Sequence, residues 1–110
     1  MSESHIRNAI LKWLWLHRGF VFIHDSVGIY DPTRRVFRKN FNRFRIKGVS
    51  DILGIWRRKF LAIEVKTSAG RPSPEQLEFI NQVNSLGGIA FIARSIHEVE
   101  EQLKERGEFP

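Results

Sequence analysis

The hexapeptide Leu61-Ala62-Ile63-Glu64-Val65-Lys66 alternates with a period of two. In a strand this sends Leu61, Ile63 and Val65 to one side and Ala62, Glu64 and Lys66 to the other, so an acid and an amine share a face. Upstream, Ser50 to Trp56 reads as a second strand, separated from Phe60 to Lys66 by the polar break Arg57-Arg58. If the turn is centred between the two arginines, with two or four residues in it, Trp56 faces Lys59 and Asp51 faces Glu64. Opposed residues have Cβ atoms roughly 5 Å apart, and two carboxylates at that distance repel unless a cation lies between them. Oxygen donors and a need for positive charge describe a Mg²⁺ or Mn²⁺ site. Lys66 beside such a site would orient an attacking water or steady charge on a phosphate, so the chemistry is metal-assisted phosphodiester hydrolysis. A three-residue turn would break the facing. Spacing alone also accommodates an edge strand with a surface Glu64–Lys66 pair and a solvated Asp51.

The elements that must position these residues are legible on either side. Ile6, Ile10, Trp13 and Leu14 recur at helical spacing between Glu3 and Arg18, with Ser2 as N-cap and Gly19 past the end. Phe20 to His24 reads as a short strand, followed by turn residues through Gly28, Asp31 and Pro32. Ser73-Pro74-Glu75-Gln76 carries a serine N-cap, a proline at the first helical position and a glutamine that completes a capping box; its helix should run to about Leu86 and stop at Gly87. Gly88 to Ala93 is a strand, and Ser95 with Glu98 opens a last helix to about Arg106. The order is αβββαβα. The crossover from Phe60 to Ala93 is long enough to lay the last strand parallel to the one carrying Glu64, so an α/β fold with a mixed four-stranded sheet flanked by helices is expected, as one domain over residues 1–110.

Lys and Arg outnumber Asp and Glu by 18 to 12, a formal charge of +6, which draws polyanions and puts nucleic acid first among partners. No apolar run approaches the roughly 20 residues of a membrane span and no signal-peptide pattern opens the chain, so a cytoplasmic protein is expected. Cysteine is absent, which removes thiolate metal sites, iron–sulfur clusters and cysteine nucleophiles. His5, His17, His24 and His97 do not share an element at ligand spacing, so they read as surface or boundary residues rather than zinc ligands. From Arg34 to Lys47 the segment has no clear period and holds Arg34, Arg35, Arg38, Lys39, Arg43, Arg45 and Lys47 without an acid among them. A phosphate track accounts for this better than a solvated surface, where seven like charges would repel one another. Phe37, Phe41 and Phe44, interleaved with them, are expected mainly to anchor the segment in the core.

Asp51, then Glu64-Val65-Lys66, then Ser73-Pro74-Glu75-Gln76 resemble the motifs of the PD-(D/E)XK restriction-endonuclease-like superfamily, and specifically its VRR-Nuc family, the viral replication and repair nucleases. The resemblance runs over nearly the whole chain, from a glutamate on the first helix through Gly48 before the aspartate, Thr67 and Gly70 after the lysine, and the Gln76 helix. Ser50 stands where the superfamily name has proline, a position that supplies no ligand.

The resemblance implies a restriction-endonuclease-like fold in which Asp51, Glu64 and the Val65 backbone carbonyl hold Mg²⁺ or Mn²⁺, Lys66 is the catalytic lysine and Gln76 borders the site. Glu3 would be the further acid from the first helix, or simply a first-turn glutamate complementing the helix dipole. Small stand-alone members are similar to viral and prophage Holliday-junction resolvases that cut branched DNA as homodimers, so that activity is the leading expectation. Exposed faces among Trp13, Trp15 and Trp56 could join the two copies. A flap or general structure-selective nuclease, a non-catalytic DNA-binding module of the same fold, and an accessory protein that binds a replication partner through the basic segment stay open beside it.

Overall fold

A computed structural model describes residues 1–24, 29–38 and 44–110. The elements are α1 (Glu3–Leu16), β1 (Phe20–Ile23), β2 (Ile29–Asp31), β3 (Val36–Arg38), β4 (Ile52–Trp56), β5 (Lys59–Val65), α2 (Pro74–Ser85), β6 (Ile89–Ala93) and α3 (Ile96–Glu105). Four strands form a mixed sheet in the order β1-β4-β5-β6. β4 pairs antiparallel with β1 and β5, and β6 runs parallel to β5 after the α2 crossover. This is the α/β arrangement expected from the pattern of apolar residues. β2 and β3 are an addition: they form a separate antiparallel hairpin, in strands of three residues, too short for alternation to register.

Sheet alternation sorts the side chains onto two layers. Leu61, Ile63 and Val65 join Ile6, Ile10 and Leu14 of α1 and Val99 and Leu103 of α3 in the larger core. Each fully buried aliphatic side chain there contributes about 1.5–3 kcal/mol. Ala62 points the other way, packing with Ala90 beneath Ile80, Phe79 and Val83 of α2. Small alanines on the sheet let the α2 helix lie close, and Glu64 is on that same side.

The helix ends follow their caps. Ser2 accepts from His5 N, Ser73 and Gln76 close a complete capping box, and Ser95 accepts from Glu98 N. The end of α1 differs from expectation. Its left-handed residue is Arg18, at φ 68°, whereas Gly19 is needed because a Cβ there would sit 2.9 Å from Cε3 of Trp56. The β4–β5 hairpin closes in a two-residue turn, with Trp56 opposite Lys59 and with Arg57 and Arg58 at φ 48° and 70°. Positive φ at both positions is the turn geometry that asparagine and glycine ordinarily occupy. For arginine each such residue costs about 1–2 kcal/mol.

Candidate active site

The two-residue turn sets the register that brings the acids together. Pairing runs from Trp56↔Lys59 to Ile52↔Ile63, and the next step sets Asp51 against Glu64. β1 extends over Asp51 as well, since His24 N donates to the Asp51 carbonyl at 2.7 Å. The Asp51 side chain is also fixed, its Oδ2 accepting from Val65 N at 3.0 Å. A strand residue's N–H and C=O face the same neighbour, so the Val65 carbonyl opens toward Asp51, beyond the last paired residues of the β4–β5 ladder.

Glu64 is 1% exposed. Its Oε1 accepts from Nε2 of Gln76 at 3.0 Å, while Oε1 of Gln76 accepts from Ser73 N at 2.9 Å. One amide therefore caps α2 and orients the carboxylate, the two roles that the sequence left side by side. Burial lifts the Glu64 pKa from 4.5 to about 8; the adjacent Asp51 charge and a hydrogen bond shared with Asp51 reinforce the rise, Lys66 opposes it, and Glu3 adds a smaller push upward. Without a cation, Glu64 keeps its proton at neutral pH.

Lys66 leaves the sheet just past β5, its backbone N–H donating to the Ala93 carbonyl at 3.1 Å. Its stem passes under Gly70, where an added Cβ would lie 3.3 Å from Cδ of Lys66. Gly70 is in turn held by Arg94, whose Nη2 donates to the Gly70 carbonyl at 3.1 Å. Arg94, at the end of β6, was not singled out from sequence; nothing local marks an arginine whose partner lies 24 residues away. Gly48 has a comparable task. At φ 77°, with an added Cβ only 2.3 Å from the Glu75 carbonyl carbon, it lets the segment leading to Asp51 lie against the α2 N-terminus.

Does this arrangement fit a divalent cation? Two carboxylates converge, one of them deeply buried with its pKa raised by that burial and by the neighbouring acid, and a backbone carbonyl opens toward them. Among the described residues neither acid forms an ion pair within 4 Å. This is a hard-oxygen donor set with unmet negative charge, and it suits Mg²⁺ or Mn²⁺. No group of three or more Asp, Glu, His or Cys converges among the described residues. Glu3, exposed in the first turn of α1, thus influences Glu64 through space without standing as a third clustered carboxylate.

The basic segment is described in part. Arg34 and Arg35 form the β2–β3 turn and are exposed, as are Arg45 and Lys47. The backbone of Arg38 lies in β3; Lys39, Phe41 and Arg43 lie outside the described residues, as does the side chain of Phe37. Of the three interleaved phenylalanines only Phe44 has a described side chain, and it is 81% exposed. Of the tryptophans, Trp56 is buried and stacks on the half-buried Trp13 with centroids 6.1 Å apart, while Trp15 is exposed. All four histidines are exposed, and no helix among the described residues is long and apolar enough to cross a membrane.

A solved structure named VRR_NUC domain protein superposes with a TM-score of 0.65, covering 100% of this chain and 93% of that one at 17% identity. At this identity the likeness establishes a shared fold alone, the mixed-sheet α/β arrangement, consistent with the restriction-endonuclease-like architecture expected from the sequence. No protein-family model and no curated protein matches the sequence.

Proposed function

We propose that the protein is a metal-dependent DNA endonuclease that hydrolyses phosphodiester bonds in branched DNA as a homodimer, with a Holliday junction as the leading substrate. The observation that carries the hydrolytic reading is the meeting of Asp51 with the buried Glu64 at the end of the β4–β5 ladder, on a fold shared with a VRR_NUC domain protein. Asp51, Glu64 and the Val65 carbonyl would hold Mg²⁺ or Mn²⁺; when bound, the ion supplies Lewis acidity and a nucleophile at neutral pH.

The chain's own residues divide the remaining work. Gln76 and Val65 N–H hold the two carboxylates in fixed rotamers, so the site is organised before substrate arrives. Lys66 places an ammonium beside the carboxylates, where it orients the incoming water and stabilises charge that accumulates on the scissile phosphate. The N-terminus of α2, which carries Gln76, favours an anion at its end, consistent with a phosphate approaching there. Arg34, Arg35, Arg38, Lys39, Arg43, Arg45 and Lys47 supply the backbone contacts that give affinity without sequence choice.

A two-fold dimer suits a four-way junction, since it presents two equivalent sites to two equivalent strands. The deciding experiment is a cleavage panel of four-way, flap, single-stranded and linear DNA with Mg²⁺ or Mn²⁺, run beside Lys66→Ala. Metal-dependent cutting of branched substrates that Lys66→Ala abolishes supports the assignment. Cutting that survives the substitution at full rate overturns it, and binding without cleavage in either metal leaves a DNA-binding module of this fold.

A further inference from the structure

The α2 side of the sheet is only partly covered. The helix lies over Ala62, Ala90 and Ile92, leaving bare the row nearest the β4–β5 turn. That row is Phe20, Ile55 and Phe60, 57%, 53% and 44% exposed. The pairs Phe20↔Ile55 and Ile55↔Phe60 place the three side by side across β1, β4 and β5. At its inner end the row opens into an apolar hollow of about 300 Å³ between Phe60, Ile46 and the α2 residues Phe79, Val83 and Leu86. Phe60 is four residues before Glu64 on the same face of β5, roughly 13 Å away, or about four nucleotide steps at 3.4 Å.

The rim of this row is cationic and backbone-strained. Arg57 and Arg58 occupy both left-handed positions of the turn, and Arg18 occupies the left-handed position after α1, next to Gly19, which packs on Trp56. Arginine holds no conformational advantage at any of these places, and strain kept at a surface points to a use for the side chains. Among the described residues none of the three forms an ion pair within 4 Å; Arg57 reaches the Gly107 carbonyl at 3.4 Å and, after the Lys59 hydrogen bond, its charge helps hold the neighbouring Glu108 carboxyl below its ordinary pKa. Lys47, exposed beside Ile46, adds a further cation; the acids nearby are Glu108, paired with Lys59 beside Arg57, and Glu78, which accepts from Gln82 of the hollow's lining. Two copies of this surface would oppose their arginines, whereas a strand with a charged backbone and flat bases matches both features.

We infer that this end of the sheet binds an unpaired stretch of DNA, with Arg18, Arg57 and Arg58 on its phosphates and Phe20, Ile55 and Phe60 against its bases. Stacking on exposed aromatics beside a basic rim is how single strands are held without sequence readout. The assignment rests on the nuclease reading for its ligand. It deepens that reading by requiring an unpaired stretch at a fixed distance from the cut.

The test is binding in EDTA, which separates it from catalysis. Fluorescent duplexes, blunt or with a single-stranded tail, are titrated with the full chain and with the double variant Arg57→Asn, Arg58→Gly. That pair is the favoured sequence for this turn, so the melting temperature should rise by about 5 °C. Affinity for the tailed duplex should fall about tenfold, its log–log salt slope should shrink by about 1.4, and blunt-duplex affinity should stay unchanged. Phe60→Leu, which keeps an apolar side chain but loses the ring, should weaken tail binding about fivefold. Equal loss on blunt and tailed DNA, or no loss on either, overturns the inference. So does a Phe60→Leu protein that binds DNA normally but sediments as a smaller species, which would make the row a contact between copies. Absence of cleavage in metal with the tail preference intact would reject the nuclease reading and leave this surface standing.

Discussion

Gln76 Nε2 lies 3.0 Å from Oε1 of Glu64, and the other end of the same amide lies 2.9 Å from Ser73 N. Helix start and the buried carboxylate of the candidate site are therefore coupled through a single side chain. Gln76→Ala should lower cleavage or metal affinity 10- to 100-fold, the usual effect of removing a group that orients a ligand. It should also cost about 1 kcal/mol of stability through the lost cap. Titrating metal into both proteins by calorimetry, alongside urea melts, separates the two effects; intact metal affinity and cleavage would remove Gln76 from the site.

In the proposed site Lys66 is not a metal ligand. Lys66→Ala should therefore leave metal binding in place while cutting the single-turnover rate by about 10²- to 10³-fold. Weaker metal binding in the variant would mean that the lysine shapes the site rather than acting on substrate.

The raised pKa of Glu64 makes stability depend on pH in a defined direction. Unfolding releases Glu64 to its ordinary value of 4.5, whereas the folded carboxyl holds its proton to about 8. As pH rises between these values the unfolded chain binds fewer protons than the native one, so Glu64 costs stability progressively and levels off above 8. Glu64→Gln should melt higher than the parent protein, with a gap that widens from pH 5 to pH 8. Mg²⁺ must displace that proton, and its stabilisation of the parent protein should grow over the same interval. A gap that is constant with pH would contradict the buried acid.

Gly48 combines φ 77° with an approach to Glu75 that leaves no room for a methyl group. Gly48→Ala should destabilise by about 2 kcal/mol or more and lower cleavage beyond what unfolding explains, because the segment it displaces leads to Asp51. Denaturant melts paired with cleavage at a temperature where the variant is folded give both numbers. Full activity in a folded variant would show that Asp51 is positioned by the sheet alone.

Neutralising the described exposed cations Arg34, Arg35, Arg45 and Lys47 together should flatten the salt dependence of duplex binding by about 3 to 4 in log–log slope if all four reach phosphates. An unchanged slope would take them off the contact surface.

The strands and helices that frame the site were readable because their signals are local. Alternation through Leu61–Lys66 set the faces, Ser73-Pro74-Glu75-Gln76 marked a helix start atom for atom, and the Arg57-Arg58 break centred the turn that fixes the Asp51–Glu64 facing. What escaped were relations that span the chain. Arg94 reaches Gly70 across 24 residues, His24 holds the Asp51 backbone, and the bare row of Phe20, Ile55 and Phe60 exists only because α2 covers part of one face. The β2–β3 hairpin was missed because strands of three residues carry no period. Which phenylalanine of the basic segment stays outside the core was not legible either, since Phe44, at 81% exposure, is surrounded by the same residue types as its neighbours. Arg18 was passed over for the adjacent glycine, whose own reason is tertiary: it clears space for an indole.

Two tryptophans sit in very different surroundings. Trp56 is buried and donates its indole N–H to the Glu108 carbonyl at 2.7 Å; Trp15 is exposed, bonded to the Val21 carbonyl at 3.0 Å and edge-on to Phe20 with centroids 5.6 Å apart. The fold has thereby equipped the molecule with native optical probes in two distinct settings. The stacked pair Trp13 and Trp56 follows loss of the whole structure, whereas Trp15 sits close enough to the bare row to sense a ligand settling on Phe20, so comparison with Trp15→Phe assigns the share of emission that reports occupancy without attaching a dye.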